Sequence, residues 1–415
     1  MYKKPAIPVS ARIKQARFLA GYLLCSPLWA FLWYLDEFLY PEYKRKQVKP
    51  VFIMGQPRSG TTFLHRTLAE DSNNFVAIRH IEWRYPFITV QKLLNSASWA
   101  VILLQKNYWP NSSAGKIASK MHPNKLSDWE EDGIFYEECF LHHFFIFLRF
   151  PYPHLLDFLD NFPALPEHIQ NKIILTHNRV IQKVLFLRGN EYSLYLSKEV
   201  TSHNKFPRML EYYKNAKFIF SVRHSEDFMN SLFSLVRFST NAKNGIDPIN
   251  IPGWKEVFIQ RMQRDSLLLR DLCKNRVKKE QQVRIMFNHF NKNIAGSVAY
   301  IYDKLGLHIS DQYHEYILMT NKSQKKRNRG YEYEQNRYHG FEQFDEFVDE
   351  IETEFCDAVD SCSSFIPSAL LQITQTNNKM VEPVIQKSTH HNIAHIKSSN
   401  SSTVREQKAL PIYVD

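Results

Sequence analysis

The sequence predicts an α/β fold in which helices cover both faces of a parallel β-sheet. Three observations carry that expectation. Four short apolar runs, at residues 51–54, 193–196, 218–222 and 284–287, read as buried strands. Longer helix-period segments separate them, which is the pattern of parallel strands joined by crossover helices. The 415-residue chain is 44% hydrophobic and 23% charged, enough to build a sizeable core and incompatible with wholesale disorder.

The expected helices lie at 61–70, 129–148, 168–187, 206–213, 226–238 and 254–277. Ahead of the first strand, Arg12, Lys14 and Arg17 precede an uncharged stretch, residues 18–35, that Asp36 and Glu37 close. It is at the short end of what spans a bilayer. No small-residue cleavage site follows it, so a cleaved signal peptide is not indicated. Pro27 and the flanking residues fit a membrane anchor or interfacial helix as well as a helix packed on the domain, leaving the chain either membrane-associated or cytoplasmic. The boundaries read from composition are 1–47 for this N-terminal helix, 48–360 for one catalytic domain, and 361–415 for a polar tail too poor in apolar residues to order itself.

The five cysteines contain no CxxC pair, so neither a zinc ribbon nor a disulfide framework is indicated. A net charge of +11 favours an anionic ligand, nucleic acid or an acidic membrane without choosing among them. The choice comes from glycine placement. Only 12 glycines occur, and two of them, Gly55 and Gly60, punctuate one strand-turn-helix, VFIMGQPRSGTTFLHRTLAED. Amides opening a helix lack intrahelical partners and sit at the positive end of its dipole, so they hold phosphate. The spacing is that of GxxxxGK[ST], a P-loop-like arrangement, but Thr61 stands where the lysine belongs and Thr62 where the magnesium-binding hydroxyl belongs. An ATP or GTP enzyme needs that lysine and a metal. Here the cation is Arg58, in the loop, placed to neutralise charge growing on a leaving phosphate oxygen. No metal is required.

This loop closely resembles the 5′-phosphosulfate-binding loop of sulfotransferases that use 3′-phosphoadenosine-5′-phosphosulfate, in the branch whose loop reads PRSGTT. The resemblance implies that Arg58, Ser59, Gly60, Thr61 and Thr62 hold the 5′ side of that co-substrate. A second strand-turn-helix, KFIFSVRHSEDFMNSLFSL, carries Arg223 at the strand end and Ser231 eight positions later on the helix, with Ser225 as the expected N-cap. A guanidinium and a hydroxyl so placed can converge on one anion. The pair is similar to the family's 3′-phosphate site, and with the first loop it specifies a 3′,5′-bisphosphate nucleotide. Between the two sites Lys198 and His203 match a Lys and a His of the family pattern, while Val200 replaces its proline. Lys198, at a strand's C-terminal end, is expected in the ligand crevice.

Sulfuryl transfer to a hydroxyl or amine requires a base within reach of the attacking atom. The first candidate is Glu82. The second is the cluster Glu130, Glu131 and Asp132, whose carboxylates also suit helix capping. His80, His122 and His203 complete the set. The aromatic run at 140–150 fits an acceptor pocket or core. Basic and aromatic residues alternate from Lys325 to Tyr338, where Arg329 and Gly330 resemble a late loop that closes the 3′-phosphate site in some relatives; nothing else suggests a nucleic-acid partner. The acceptor stays open among lipid, carbohydrate, small alcohol and protein tyrosine, with the hydrophobic N-terminus pointing to a lipidic one. The competing readings are a P-loop kinase-like phosphotransferase, disfavoured by Thr61, and a non-catalytic membrane-associated nucleotide-binding protein.

Overall fold

A computed structural model describes residues 7–362 apart from 98–101, 103, 106–108, 144, 157–159, 202 and 325–335. The late basic loop around Arg329 and Gly330 and nearly all of the C-terminal tail therefore lie outside the described residues.

Five strands, β1 (Pro50–Gly55), β2 (Phe75–Ala77), β3 (Leu194–Glu199), β4 (Lys217–Val222) and β5 (Gln282–Met286), form one parallel sheet in the order β2-β3-β1-β4-β5. Every residue of β1 is buried. A central parallel strand is covered on both faces, which is why it reads as an unbroken apolar run rather than an alternating one. β1 pairs with β3 on one side, Ile53 opposite Lys198, and with β4 on the other, Gly55 opposite Ser221. The connection leaving β1 runs one way across the sheet and the one leaving its neighbour β4 runs the other, and ligands of such folds bind outside the strand ends at that point. The strand absent from the sequence reading is β2, whose three residues are too few to register as a periodic pattern.

The helices in chain order are α1 (Val9–Leu39), α2 (Thr61–Ala69), α3 (His80–Arg84), α4 (Ile88–Ser96), α5 (Ser113–Met121), α6 (Gly133–Glu138), α7 (Glu167–Arg188), α8 (Phe206–Tyr212), α9 (Ser225–Asn244), α10 (Trp254–Asp271), α11 (Phe287–Lys292), α12 (Ile294–Leu305), α13 (Asp311–Gln324) and α14 (Glu342–Cys362). Aromatic packing unites the layers. Phe52 of β1 stacks on Phe218 of β4 and meets Phe206 of α8 edge-on, and Trp254 stacks on Phe258 within α10.

Two local expectations are corrected. The helix expected at 129–148 is only α6, followed by Phe140 at φ 59° and a π-turn at Phe145–Arg149. Its buried polar residues have partners on different elements: Asp132 with His177 and Tyr195, His142 with Thr201, His143 with Asp160. One straight helix cannot aim side chains in all those directions, so the chain folds around them. Ser225 is not the N-cap of α9 either. His224 occupies that position without a side-chain cap, and the Ser225 amide and hydroxyl both donate to Asp345 of α14, at 2.8 and 2.6 Å. The cap comes from a helix more than a hundred residues away, beyond the reach of any local pattern.

Candidate active site

β1 delivers the chain into a turn at 56–60 that α2 continues. Arg58 and Gly60 both take the left-handed conformation, at φ 69° and 75°. Gly60 is the N-cap of α2 and supplies no side chain to cap the opening amides. Both glycines are demanded by packing. A Cβ on Gly60 would lie 2.0 Å from the Phe287 ring, and one on Gly55 would lie 2.5 Å from the Ser221 carbonyl. The turn is braced internally by Ser59, whose hydroxyl donates to the Gln56 carbonyl at 2.6 Å while its own carbonyl accepts from Ser221 at 3.1 Å. Ser59 is thus a fully buried brace, whereas Arg58, Gly60, Thr61 and Thr62 line a cleft that opens to solvent.

The second strand-turn-helix meets the first. Arg223 leaves the end of β4 and donates through Nη1 to the Arg58 carbonyl at 3.0 Å, with Asp227 accepting from its Nε at 3.2 Å and Phe287 beneath it. Arg58 in turn donates from Nε to the Ser231 hydroxyl on α9 at 3.0 Å and from Nη1 to the Met121 carbonyl at 3.2 Å. Residues separated by some 170 positions in sequence thus share one hydrogen-bonded wall. Asn230, beside Ser231, exchanges hydrogen bonds with the backbone of Asn336, so the chain re-enters at this wall immediately after the late basic segment.

Opposite, Lys198 at the end of β3 donates to the Thr62 hydroxyl at 3.0 Å and lies 3.4 Å from both Glu130 and Glu131. The two carboxylates share one ammonium and are driven apart. Burial raises Glu130, but Lys198 and the surrounding imidazole and guanidinium groups outweigh it and hold its carboxyl well below the usual range. Burial raises Glu131 above its ordinary value despite Lys198, and the neighbouring Glu130 charge adds to the rise. Both line the cleft with Lys198, while Asp132 points away and accepts from His177 and Tyr195 at 2.9 and 2.7 Å.

Glu82 stands elsewhere. It lies in α3 outside the cleft lining, with one oxygen accepting from the Arg79 amide at 2.7 Å and both oxygens taken by the Arg79 and Arg188 guanidiniums. Its sequence position, a carboxylate soon after the phosphate-loop helix, did not reveal that two arginines claim it. His80 reaches the cleft but bonds Asn124 at 2.9 Å and is lowered by burial. His122 lines the cleft. His203 is buried behind it against the Asp265 carbonyl, and burial lowers it to about 4. An apolar wall completes the cleft, with Leu148 from the 140–150 run and Val200 joined by Ile134, Leu232 and Val236, which no motif marked, and with a cationic edge at Lys243, whose ammonium lies 5.5 Å from the Trp109 ring centre. They come from four separate segments, and no spacing rule links them.

The fold has solved counterparts. The sulfotransferase STF1 from Mycobacterium tuberculosis H37Rv superposes with a TM-score of 0.58 at 17% identity, covering 85% of this chain and 87% of that one. STF9, a sulfotransferase from Mycobacterium avium, gives 0.57 at 16% identity over 78% and 80%. A search of curated proteins finds no match. The sequence itself matches a family model described as the sulfotransferase family over residues 50–311, which takes in all five strands and both strand-turn-helix sites, and the chain therefore belongs to the sulfotransferase family.

Proposed function

We propose that the protein transfers a sulfuryl group from 3′-phosphoadenosine-5′-phosphosulfate to a hydroxyl or amine, directly and in line. The observation that carries this reading is the shared wall of Arg58, Arg223 and Ser231, where the turn before α2 meets the end of β4 and the flank of α9. The residues suit the donor: a glycine cradle closed to any Cβ, uncapped amides at α2, and cations on both sides. The 5′-phosphate and its sulfuryl group lie on the amides of Gly60, Thr61 and Thr62, and the 3′-phosphate meets Arg223 and Ser231. Ser59 holds the loop in shape.

In the transfer, an acceptor oxygen or nitrogen attacks sulfur as the bond from sulfur to the 5′-phosphate oxygen breaks, and the electron pair of that bond passes to the phosphate. Arg58 and Lys198 stabilise the charge that grows there. The acceptor's proton goes to Glu131, whose raised value makes it a stronger base than an exposed carboxylate. Glu130 stays ionised and pairs with Lys198. Glu82 positions α3 through its two arginines and takes no part in the chemistry. The apolar wall receives the acceptor's non-reacting part.

Thermal-shift titration tests the reading. Adenosine 3′,5′-bisphosphate raises the unfolding midpoint in the presence of a chelator, and ATP with magnesium does so weakly or not at all. Stabilisation by ATP with magnesium alone would overturn it in favour of phosphoryl transfer.

A further inference from the structure

Helix α1 has two unlike faces. Its inner stripe is fastened to the domain at both ends. Near the start, buried Gln15 donates to Asn244 of α9 at 3.1 Å and to the Arg149 carbonyl at 3.2 Å, and accepts from the Tyr152 hydroxyl at 2.9 Å. Roughly 30 Å further along the helix, fully buried Asp36 accepts from the Ile88 and Thr89 amides at 2.6 and 3.0 Å and from Lys183 of α7 at 3.0 Å. Between these anchors the outer face carries Leu19, Leu23, Leu24, Leu28, Phe31 and Tyr34, exposed by 39% to 80%. No charged residue interrupts it from Arg17 to Asp36.

Soluble monomers rarely leave so continuous an apolar surface uncovered. By length and composition α1 is able to cross a membrane, but its attachments oppose that. A hydrocarbon core is about 30 Å thick, and a helix pinned at both ends to one rigid body would pull the polar surface of that body into it. The charges favour one occupant. Exposed Arg12, Lys14 and Arg17 flank the apolar face at one end; at the other, Lys44 pairs with Glu37 and exposed Arg45 stands near exposed Glu42, so the basic charge is concentrated at the N-terminal end. Two copies of so basic a face repel, whereas an anionic lipid surface attracts it. The face also adjoins the reaction site. A groove beside the first third of α1 is lined by Lys14, Phe18, Arg149 and Lys243, and Lys243 is also part of the cleft lining.

We propose that the outer face of α1 is a docking surface for an anionic lipid bilayer, on which the helix lies flat without crossing, with the Lys243 end of the cleft beside the membrane. This does not depend on the sulfuryl-transfer reading, because it is tested by binding alone. Full-length protein is floated with vesicles of phosphatidylcholine alone or mixed with phosphatidylglycerol. It is expected to float with the mixed vesicles, less so at high salt, and to be released by alkaline carbonate. The Leu23→Glu/Leu24→Glu double variant and, separately, Phe31→Glu lose flotation by at least about tenfold, the scale of removing one or two buried apolar side chains, while thermal midpoint and adenosine 3′,5′-bisphosphate binding stay unchanged. The proposal falls if wild type does not float, if carbonate fails to release it, if the charged variants float equally well, or if the face instead holds a dimer that Leu23→Glu dissociates.

Discussion

The Arg223 guanidinium donates to the backbone carbonyl of Arg58 at 3.0 Å, so the end of β4 is tied to the turn after β1. A turn held this way by its neighbour is pre-shaped, and a nucleotide that touches both need not order either.

That relationship couples the two ends of the nucleotide site unequally, since Arg223 is assigned to the 3′-phosphate directly and reaches the 5′ side only as a brace on the turn. Arg223→Ala is expected to weaken adenosine 3′,5′-bisphosphate by about 10- to 100-fold, the scale of a lost charged hydrogen bond. It should weaken adenosine 5′-monophosphate less, because only the brace on the turn is lost on that side. Arg58→Ala should weaken both. Calorimetric titration of the three proteins with the two nucleotides checks this, and equal losses for Arg223→Ala on both ligands would remove its assignment to the 3′ side.

Gly60→Ala is expected to abolish nucleotide binding. The added Cβ meets the Phe287 ring at 2.0 Å, in a backbone conformation that L-residues rarely adopt. Either the turn opens or Phe287 moves off Arg223, and both outcomes spoil the wall. Phe287→Ala in the Gly60→Ala background removes the clash but not the φ strain, so binding should return only in part. Nucleotide-induced thermal shifts of the single and double variants report it.

The carboxylates should divide by readout. Glu131→Gln is expected to lower kcat by about 10²- to 10⁴-fold, as for loss of a general base, with its thermal midpoint nearly unchanged. Glu82→Gln is expected to do the reverse, costing about 1–3 kcal/mol of stability by loosening two guanidiniums, with kcat of the folded enzyme close to wild type. Parallel unfolding and turnover measurements decide between them.

The Glu131 carboxyl must be deprotonated to act, and its value is raised. Turnover should therefore rise with pH through a limb displaced above the ordinary carboxylate range. Since the Glu130 charge contributes to that rise, Glu130→Gln should move the limb to lower pH. A limb that moved up or stayed in place would reassign the base.

Acid stability follows from buried imidazoles. His65 is held neutral, lowered to about 3 first by burial and then by the Lys198 charge, and burial lowers His203 to about 4. A depressed folded value means that the stability these groups contribute is present above the unfolded value of about 6.5. It is lost as pH falls through the window below that towards 3 to 4. His203→Gln should flatten the decline of the thermal midpoint between about pH 6.5 and 4 relative to wild type.

Local chemistry was enough to read the parallel sheet, the turn from Gly55 to Thr62, and Arg223 at a strand end with Ser231 on the helix that follows. A buried strand, a helix start and a glycine turn each leave their requirements in adjacent residues. The same locality hid β2, too short to show a period, and the Asp345 cap on Ser225, contributed from another helix. It also made Glu82 and Glu131 look equivalent, since a carboxylate near a helix start has the same sequence signature whether arginines enclose it or it lines a cleft beside a lysine. Only the folded chain brought Arg79 and Arg188 to Glu82 and aimed Glu131 at Lys198, because the partners of a charge are set by which strands become neighbours and not by distance along the backbone. For α1, composition alone admitted a span, and only the tertiary structure showed its attachments to the domain at Gln15 and Asp36.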